Sequence, residues 1–209
     1  MAAEQVVPTG GVEKEPFIPY VAEADYPEHL KPVLEPYMKR MGFIPNALKL
    51  YMHRPEIAET LWKLNSKIMR DPSSTLDQGL KRRLSAICSK TNGCTYCTAH
   101  CCDMLKKPLD GASEGWGMTR DEVTDLVRGD LAPRDEFERA CFDFARAASA
   151  DPGAVPDDVF VRLKALLTPA QIVELGCVVG FWKMYNTIHD ALMIPIEAHL
   201  EHDTNFVDA

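Results

Sequence analysis

The chain has 209 residues, with 31 acidic against 23 basic side chains and a formal net charge of −8; that length can bury one core without disulfide staples. The acidic balance leaves no basic stripe for a nucleic-acid backbone. The longest nearly apolar run, residues 175–182, is 8 residues long, where a bilayer crossing takes about 20. The polar, acidic first residues lack the apolar stretch of a secretory signal, so the expected setting is the cytoplasm and the expected partner a small molecule, not a nucleic acid or a membrane.

In chain order, residues 1–19 hold Pro, Gly and charge without periodicity and read as an N-terminal arm. Residues 27–42 have helical apolar spacing with internal prolines and end at Gly42, which predicts a short or kinked helix. Residues 45–52 add a short helical turn. Residues 55–69 place Ile57, Leu61, Leu64 and Ile68 on one face, behind a proline at the start. Ser74-Thr75 opens the next helix, striped by Leu76, Leu80, Leu84 and Ile87 and broken by Asn92-Gly93. A helix over 94–107 stops at Pro108, and 110–117 is a Gly-rich loop. Thr119 with Glu122 is a capping box for a helix ending near Gly129. Residues 133–150 carry the stripe Phe137, Cys141, Phe144 and Ala148, and 159–167 follow. Thr168-Pro169 with Gln171 caps a last long helix that runs to about Met193, before Pro195. No alternating segment exceeds four residues, so the expected fold is all-α: one domain over 20–209, with a possible pseudo-repeat of halves at about 25–108 and 119–200.

The seven cysteines are odd in number, and four lie between positions 94 and 102. That is not a secreted disulfide framework. A helix starting at Cys94 puts Cys94, Cys97 and Cys101 on one face, with His100 three residues after Cys97. Two cysteines two residues apart at a helix N-terminus make a reactive dithiol, because the dipole and the unpaired N–H groups favour a thiolate and the partner thiol can resolve its oxidised form. A nearby His can carry the proton. Zinc is an alternative that needs a second ligand group, for which only His189-Asp190 offers itself. An iron–sulfur cluster lacks a fourth cysteine at a suitable spacing. Core filling accounts for Cys88, Cys141 and Cys177, each inside an apolar stripe.

The stretch Ser89-x-x-Asn92-Gly93-Cys94-x-Tyr96-Cys97-x-x-His100 resembles the signature of the carboxymuconolactone decarboxylase / AhpD-like alkylhydroperoxidase superfamily. The segments Gly42–Asn46 with Arg54–Glu56, and Phe137–Ala140 through Val173–Leu175 to Asn186, are similar to flanks of its longer, peroxidase-related members, so the likeness spans about residues 25–198. The resemblance implies an all-helical homo-oligomer, with the dithiol at a helix start beside a cavity. It implies hydroperoxide reduction with Cys97 attacking and Cys94 resolving; the helix dipole alone favours Cys94 as the more acidic thiol. Two positions depart from the AhpD pattern. Arg82 stands where the relay Glu would be, and Cys101 where the His would be, with His100 one place earlier; one residue is a turn of about 100° on a helix.

Trp182, Tyr185, Asn186 and His189 share a face of the last helix. Tyr185 and His189 either pack there or line the cavity over the dithiol, and Glu174 is a paired carboxylate or a substitute for the missing relay acid. The leading expectation is a cytoplasmic, cofactor-free thiol oxidoreductase acting on a hydroperoxide or disulfide. Its catalytic residues are Cys97, Cys94 and His100, with Cys101, Arg82, Tyr96, Glu174, Tyr185, Asn186 and His189 as accessories, and a thiol reductant as partner. A lyase or isomerase of a small carboxylated substrate, using His189, His100 and Arg82, is the alternative. A zinc-binding or structural helical oligomer is the second.

Overall fold

The computed structural model describes residues 15–106 and 116–201. Of the expected arm only 15–19, and of the expected loop only 116 and 117, fall within the described residues. Among these there is no strand. Two 3₁₀ turns, Glu23–Asp25 and Glu28–Leu30, lead into ten α-helices: α1 Lys31–Met41, α2 Asn46–Tyr51, α3 Pro55–Arg70, α4 Gln78–Thr91, α5 Thr95–Lys106, α6 Arg120–Arg128, α7 Glu136–Ala150, α8 Asp157–Leu166, α9 Pro169–Ala191 and α10 Ala198–Glu201. The capping boxes of Thr119 and Thr168 form as their spacing predicts.

Two expectations change in detail. Helix α4 does not open at Ser74-Thr75. Both hydroxyls there bind Glu174 instead, and the cap passes to Asp77, whose carboxylate accepts the Leu80 N–H at 2.9 Å. On α3 the inward face is Ala58, Trp62, Asn65 and Met69, leaving Ile57 47% and Leu64 40% exposed. Apolar residues occupy adjacent positions along this helix (Ile57-Ala58, Leu61-Trp62, Ile68-Met69), and a rotation of one residue puts Trp62 and Met69 inside.

Helix α4 is the axis of the core. Every residue from Gly79 to Ser89 is buried, and α5, α7 and α9 pack around it. Leu80, Leu84 and Ile87 share one apolar core with Leu105, Leu126, Phe142, Leu175 and Val178. Three cations lie in this apolar setting, where an unpaired charge would be very costly. Lys81 Nζ meets Glu174 Oε1 at 3.0 Å, and Arg83 meets Glu138 at 2.6 Å. The Arg82 guanidinium lies over the Trp116 ring, 5.4 Å from its centre. Trp116 approaches α4 at Gly79, where a Cβ would come within 2.9 Å of the indole and of the Asp77 carboxylate, so a side chain there would make the ring or the cap shift. A second, smaller cluster joins Tyr26, Leu30, Leu34, Ile44, Met52, Ala58 and Trp62.

Candidate active site

The turn between α4 and α5 carries the site. The Asn92 N–H closes on Cys88 O, Gly93 adopts φ +77°, and the Cys94 N–H donates to Ser89 O at 3.1 Å. A side chain at Gly93 would strain this left-handed turn. Cys94 is the cap of α5, which starts at Thr95, one residue later than the expected start at Cys94: its Sγ accepts the Cys97 N–H at 3.3 Å. The two sulfurs are thereby brought together at the positive end of α5, with Cys94 fully buried and Cys97 2% exposed.

The partner of the Cys97 thiol is His189, near the end of α9, with Nδ1 2.9 Å from Sγ. The imidazole is boxed by the rings of Tyr51, Tyr96 and Tyr185, at centroid distances of 5.8, 5.1 and 5.4 Å. This burial, with the nearby His100, pushes the His189 pKa down to about 3, against the opposing pull of Glu197. Burial, followed by the contact with Cys94, pushes the Cys97 thiol well up. Both partners rest uncharged, and the thiol donates to Nδ1 in the tautomer that carries the imidazole proton on Nε2. Nε2 has no hydrogen-bond partner among the described residues.

His100 is placed differently from the sequence expectation. Its Nε2 meets Glu197 Oε2 at 2.6 Å, and its ring lies 4.4 Å from that of Tyr96. Glu197 also accepts the Asn46 N–H at 2.6 Å and the Tyr96 hydroxyl at 3.2 Å, while Tyr96 accepts the Ala47 N–H. Burial works to raise the Glu197 carboxyl, but the charge and hydrogen bond of His100 and the bond from Asn46 hold it below the usual carboxylate range. Sequence reasoning missed Glu197. Its one signal is a lone acid in the apolar segment Met193-Ile-Pro-Ile-Glu197.

Cys97, His189, His100 and Tyr96 open onto a cavity of about 130 Å³ walled by Tyr51, Trp62, Trp182, Tyr185, Leu48 and Met104, with Arg70, Arg82 and Cys101 also at its edge. Of the expected accessories, Arg82, Cys101, Tyr96, Tyr185 and His189 therefore meet here. The Tyr185 hydroxyl donates to Leu61 O at 3.3 Å. Asn186 is buried behind the cysteines. Its Nδ2 donates to Ser89 Oγ at 3.1 Å and its Oδ1 accepts from Asn92 at 2.7 Å, which ties the turn to α9. Cys101 lies 3.9 Å from Ser89 Oγ; burial, opposed by hydrogen bonds from Ser85 and Ser89, pushes its thiol up to about 11.

Glu174 is not part of this wall. It sits at the other end of α9 with Ser74, Thr75 and Lys81. Among the cysteines assigned to the core, Cys88 and Cys141 are buried, but Cys177 is exposed, because it falls on the outer face of α9. Cys94, Cys97 and His189 bring one donor atom each to within 4.8 Å of one another, a set of three able to hold a metal ion. The Asp190 beside that histidine is exposed.

No family model matches the chain, and no curated protein sequence does. Solved structures do. One is a cysteine-to-alanine variant of the debrominase Bmp8 in complex with 2,3,4-tribromopyrrole, at 21% identity over 94% of this chain and 100% of that one, TM-score 0.77. An AhpD-core, peroxidase-related protein from Ralstonia eutropha JMP134 aligns at 18% identity over 90% and 96%, TM-score 0.74. A peroxidase-related protein from Silicibacter sp. TM1040 aligns at 19% over 92% and 99%, TM-score 0.73. The chain thus has the all-helical AhpD-like fold of the peroxidase-related proteins.

Proposed function

We propose that the protein is a thiol-dependent oxidoreductase that reduces a small electrophile, a hydroperoxide first of all, at the expense of the Cys94–Cys97 dithiol. The observation that carries this reading is the 2.9 Å contact of Cys97 Sγ with His189 Nδ1 at the cavity wall, with Cys94 capping the same helix turn behind it. Cys97 faces the cavity and Cys94 does not border it, so Cys97 attacks and Cys94 resolves.

On binding of a hydroperoxide, the Cys97 thiol passes its proton to His189 Nδ1 and the sulfur attacks the terminal peroxide oxygen. The O–O bond breaks, the leaving alkoxide takes a proton from the imidazolium, and Cys97 is left as a sulfenic acid. The Cys94 sulfur then attacks Cys97 Sγ, water leaves and the disulfide forms; two electrons have passed from the dithiol to the peroxide. A neutral His189 is what the first step needs, and its burial keeps it neutral well below pH 7. The charge of Glu197 favours the transient imidazolium, against burial and the nearby His100. An external thiol reductant restores the dithiol. The small, ring-lined cavity favours a small molecule over a protein disulfide.

A second substrate reading has its own support. The aromatic walls of Tyr51, Trp62, Trp182 and Tyr185 suit a flat ring, and the debrominase is among the similar structures. The same dithiol would then replace an aryl bromine by hydrogen, giving the disulfide and bromide. Cytoplasmic location and self-association complete the proposal, the latter supported by the apolar side chains that α3 and α9 leave exposed, Ile57, Leu64 and Val173.

The test is consumption of cumene hydroperoxide with dithiothreitol as reductant, and bromide release from a bromopyrrole in parallel. Wild type is expected to turn over at least one of them, and both Cys97→Ser and Cys94→Ser to lose turnover. Activity unchanged in both variants would refute the dithiol mechanism and favour acid–base chemistry by His189 and Arg82.

A further inference from the structure

We propose that the reduced dithiol is also a zinc site, in which Cys94 Sγ, Cys97 Sγ and the His189 ring nitrogen bind one Zn²⁺ whose presence silences the thiol chemistry. The three donors come from two elements, the first turn of α5 and the last turns of α9, and all lie within 4.8 Å of one another. Tetrahedral zinc with sulfur at about 2.3 Å and nitrogen at about 2.0–2.1 Å needs donors roughly 3.5–3.9 Å apart, an adjustment within the reach of small side-chain rotations. Two cysteines, one histidine and an open position form a ligand set that zinc adopts in protein sites.

The surroundings favour the ion. Cys94 and Cys97 are both buried; two thiolates and a dication make a neutral unit there, and binding releases the two thiol protons. Cys94 Sγ already accepts a backbone N–H from Cys97, a bond that a thiolate ligand strengthens. The rings of Tyr51, Tyr96 and Tyr185 fix the imidazole plane. Cys97 and His189 border the cavity, so the fourth position is left to water or a small ligand.

Zinc there occupies both the sulfur that attacks and the nitrogen that accepts its proton. Conversely, a hydroperoxide that takes two electrons from the thiolate pair leaves a disulfide, which no longer offers two thiolates, and Zn²⁺ is released. This mutual exclusion rests on the thiol reaction proposed above; the binding itself does not.

The experiment titrates reduced, chelator-stripped protein with Co²⁺, then displaces it with Zn²⁺ and counts bound metal. One Co²⁺ per chain is expected, with thiolate-to-cobalt charge-transfer absorption and the visible bands of a tetrahedral site. The signal should vanish in the disulfide form, in Cys94→Ser and in Cys97→Ser. It should weaken by about 100-fold or more in His189→Gln, at or beyond the top of what outer-sphere changes cost. The exposed-thiol variant Cys177→Ser should keep it, and circular dichroism checks that each variant is folded. Uptake without the charge-transfer band, or uptake equal in the Cys94→Ser/Cys97→Ser double variant, would overturn the zinc site. Turnover with no metal binding defeats this proposal alone, whereas metal binding without any dithiol-dependent turnover defeats the redox reading and leaves the metal site standing.

Discussion

The two ends of α9 hold two polar clusters that differ in how completely they are satisfied. At the first end Glu174 accepts from Ser74, Thr75 and Lys81, while Lys81 Nζ is further held by Ile68 O at 2.8 Å and Ser74 Oγ at 2.7 Å. Burial works against the Glu174 carboxylate, yet these bonds hold its pKa at about 2. At the other end His189, Tyr51 and Trp182 border a cavity and each has a buried polar atom with no partner among the described residues. The closed cluster fastens α9 to α4 and to the 71–77 segment. The open one leaves donors for a ligand and a thiol–imidazole pair in which neither partner is charged. A site able to do chemistry is the one the fold has not saturated.

Substitutions at the two ends should therefore separate stability from turnover. Cys97→Ser should abolish turnover while moving the thermal midpoint little, as the hydroxyl keeps a hydrogen bond to His189. Lys81→Ala should do the reverse: removing one partner of a buried pair costs about 3–5 kcal/mol, read as a lowered urea midpoint with the surviving folded fraction still active. His189→Gln should lower the rate constant of Cys97 oxidation by about 10²–10⁴ and leave the Lys81 end untouched.

Acid titration distinguishes the ends more finely. The unfolded imidazole of His189 takes a proton near pH 6.5, whereas the folded one resists to about 3. Its contribution to stability is complete above pH 6.5 and falls by about 1.4 kcal/mol per pH unit as the pH drops through that window. For Glu174 the window is 4.5 down to about 2, with a slope below about 1.4 kcal/mol per unit because partial exposure screens it. Denaturation midpoints against pH should lose the upper window in His189→Gln and the lower one in Glu174→Gln. The smallest effect is expected at Gly79→Ala, where the added methyl meets Trp116. A loss of about 1–3 kcal/mol, together with altered fluorescence of that indole, would show that the ring is held against α4.

The helical order and the dithiol were legible because they depend on local chemistry: Thr119 and Thr168 cap their helices through neighbours three residues on, and C-x-x-C brings two sulfurs together on one turn. The assignment of partners was not. His100 is the histidine closest in sequence to Cys97, but the packing of α9 across α4 and α5 delivers His189, 92 positions away, to the thiol and sends His100 to Glu197. Helical periodicity placed His189 beside Tyr185 and Asn186, yet no local pattern states what that face meets. Glu174 shows the same limit: its role was decided by Ser74 and Thr75, which the pattern had assigned to a helix cap. On α3 and at Cys177, apolar residues in adjacent positions allowed either face to be read as the inner one, and packing chose.

In the proposed reaction the Cys97 sulfur, deprotonated by His189, is the atom that meets the substrate. This is tested most directly in a single turnover of Cys94→Ser with one equivalent of cumene hydroperoxide, quenched with a sulfenic-acid trap and mapped by peptide mass spectrometry. One trapped oxygen is expected on Cys97, formed far more slowly when His189→Gln is added. Oxidation found instead on Cys101, Cys177 or no cysteine, or a rate indifferent to His189, would contradict it.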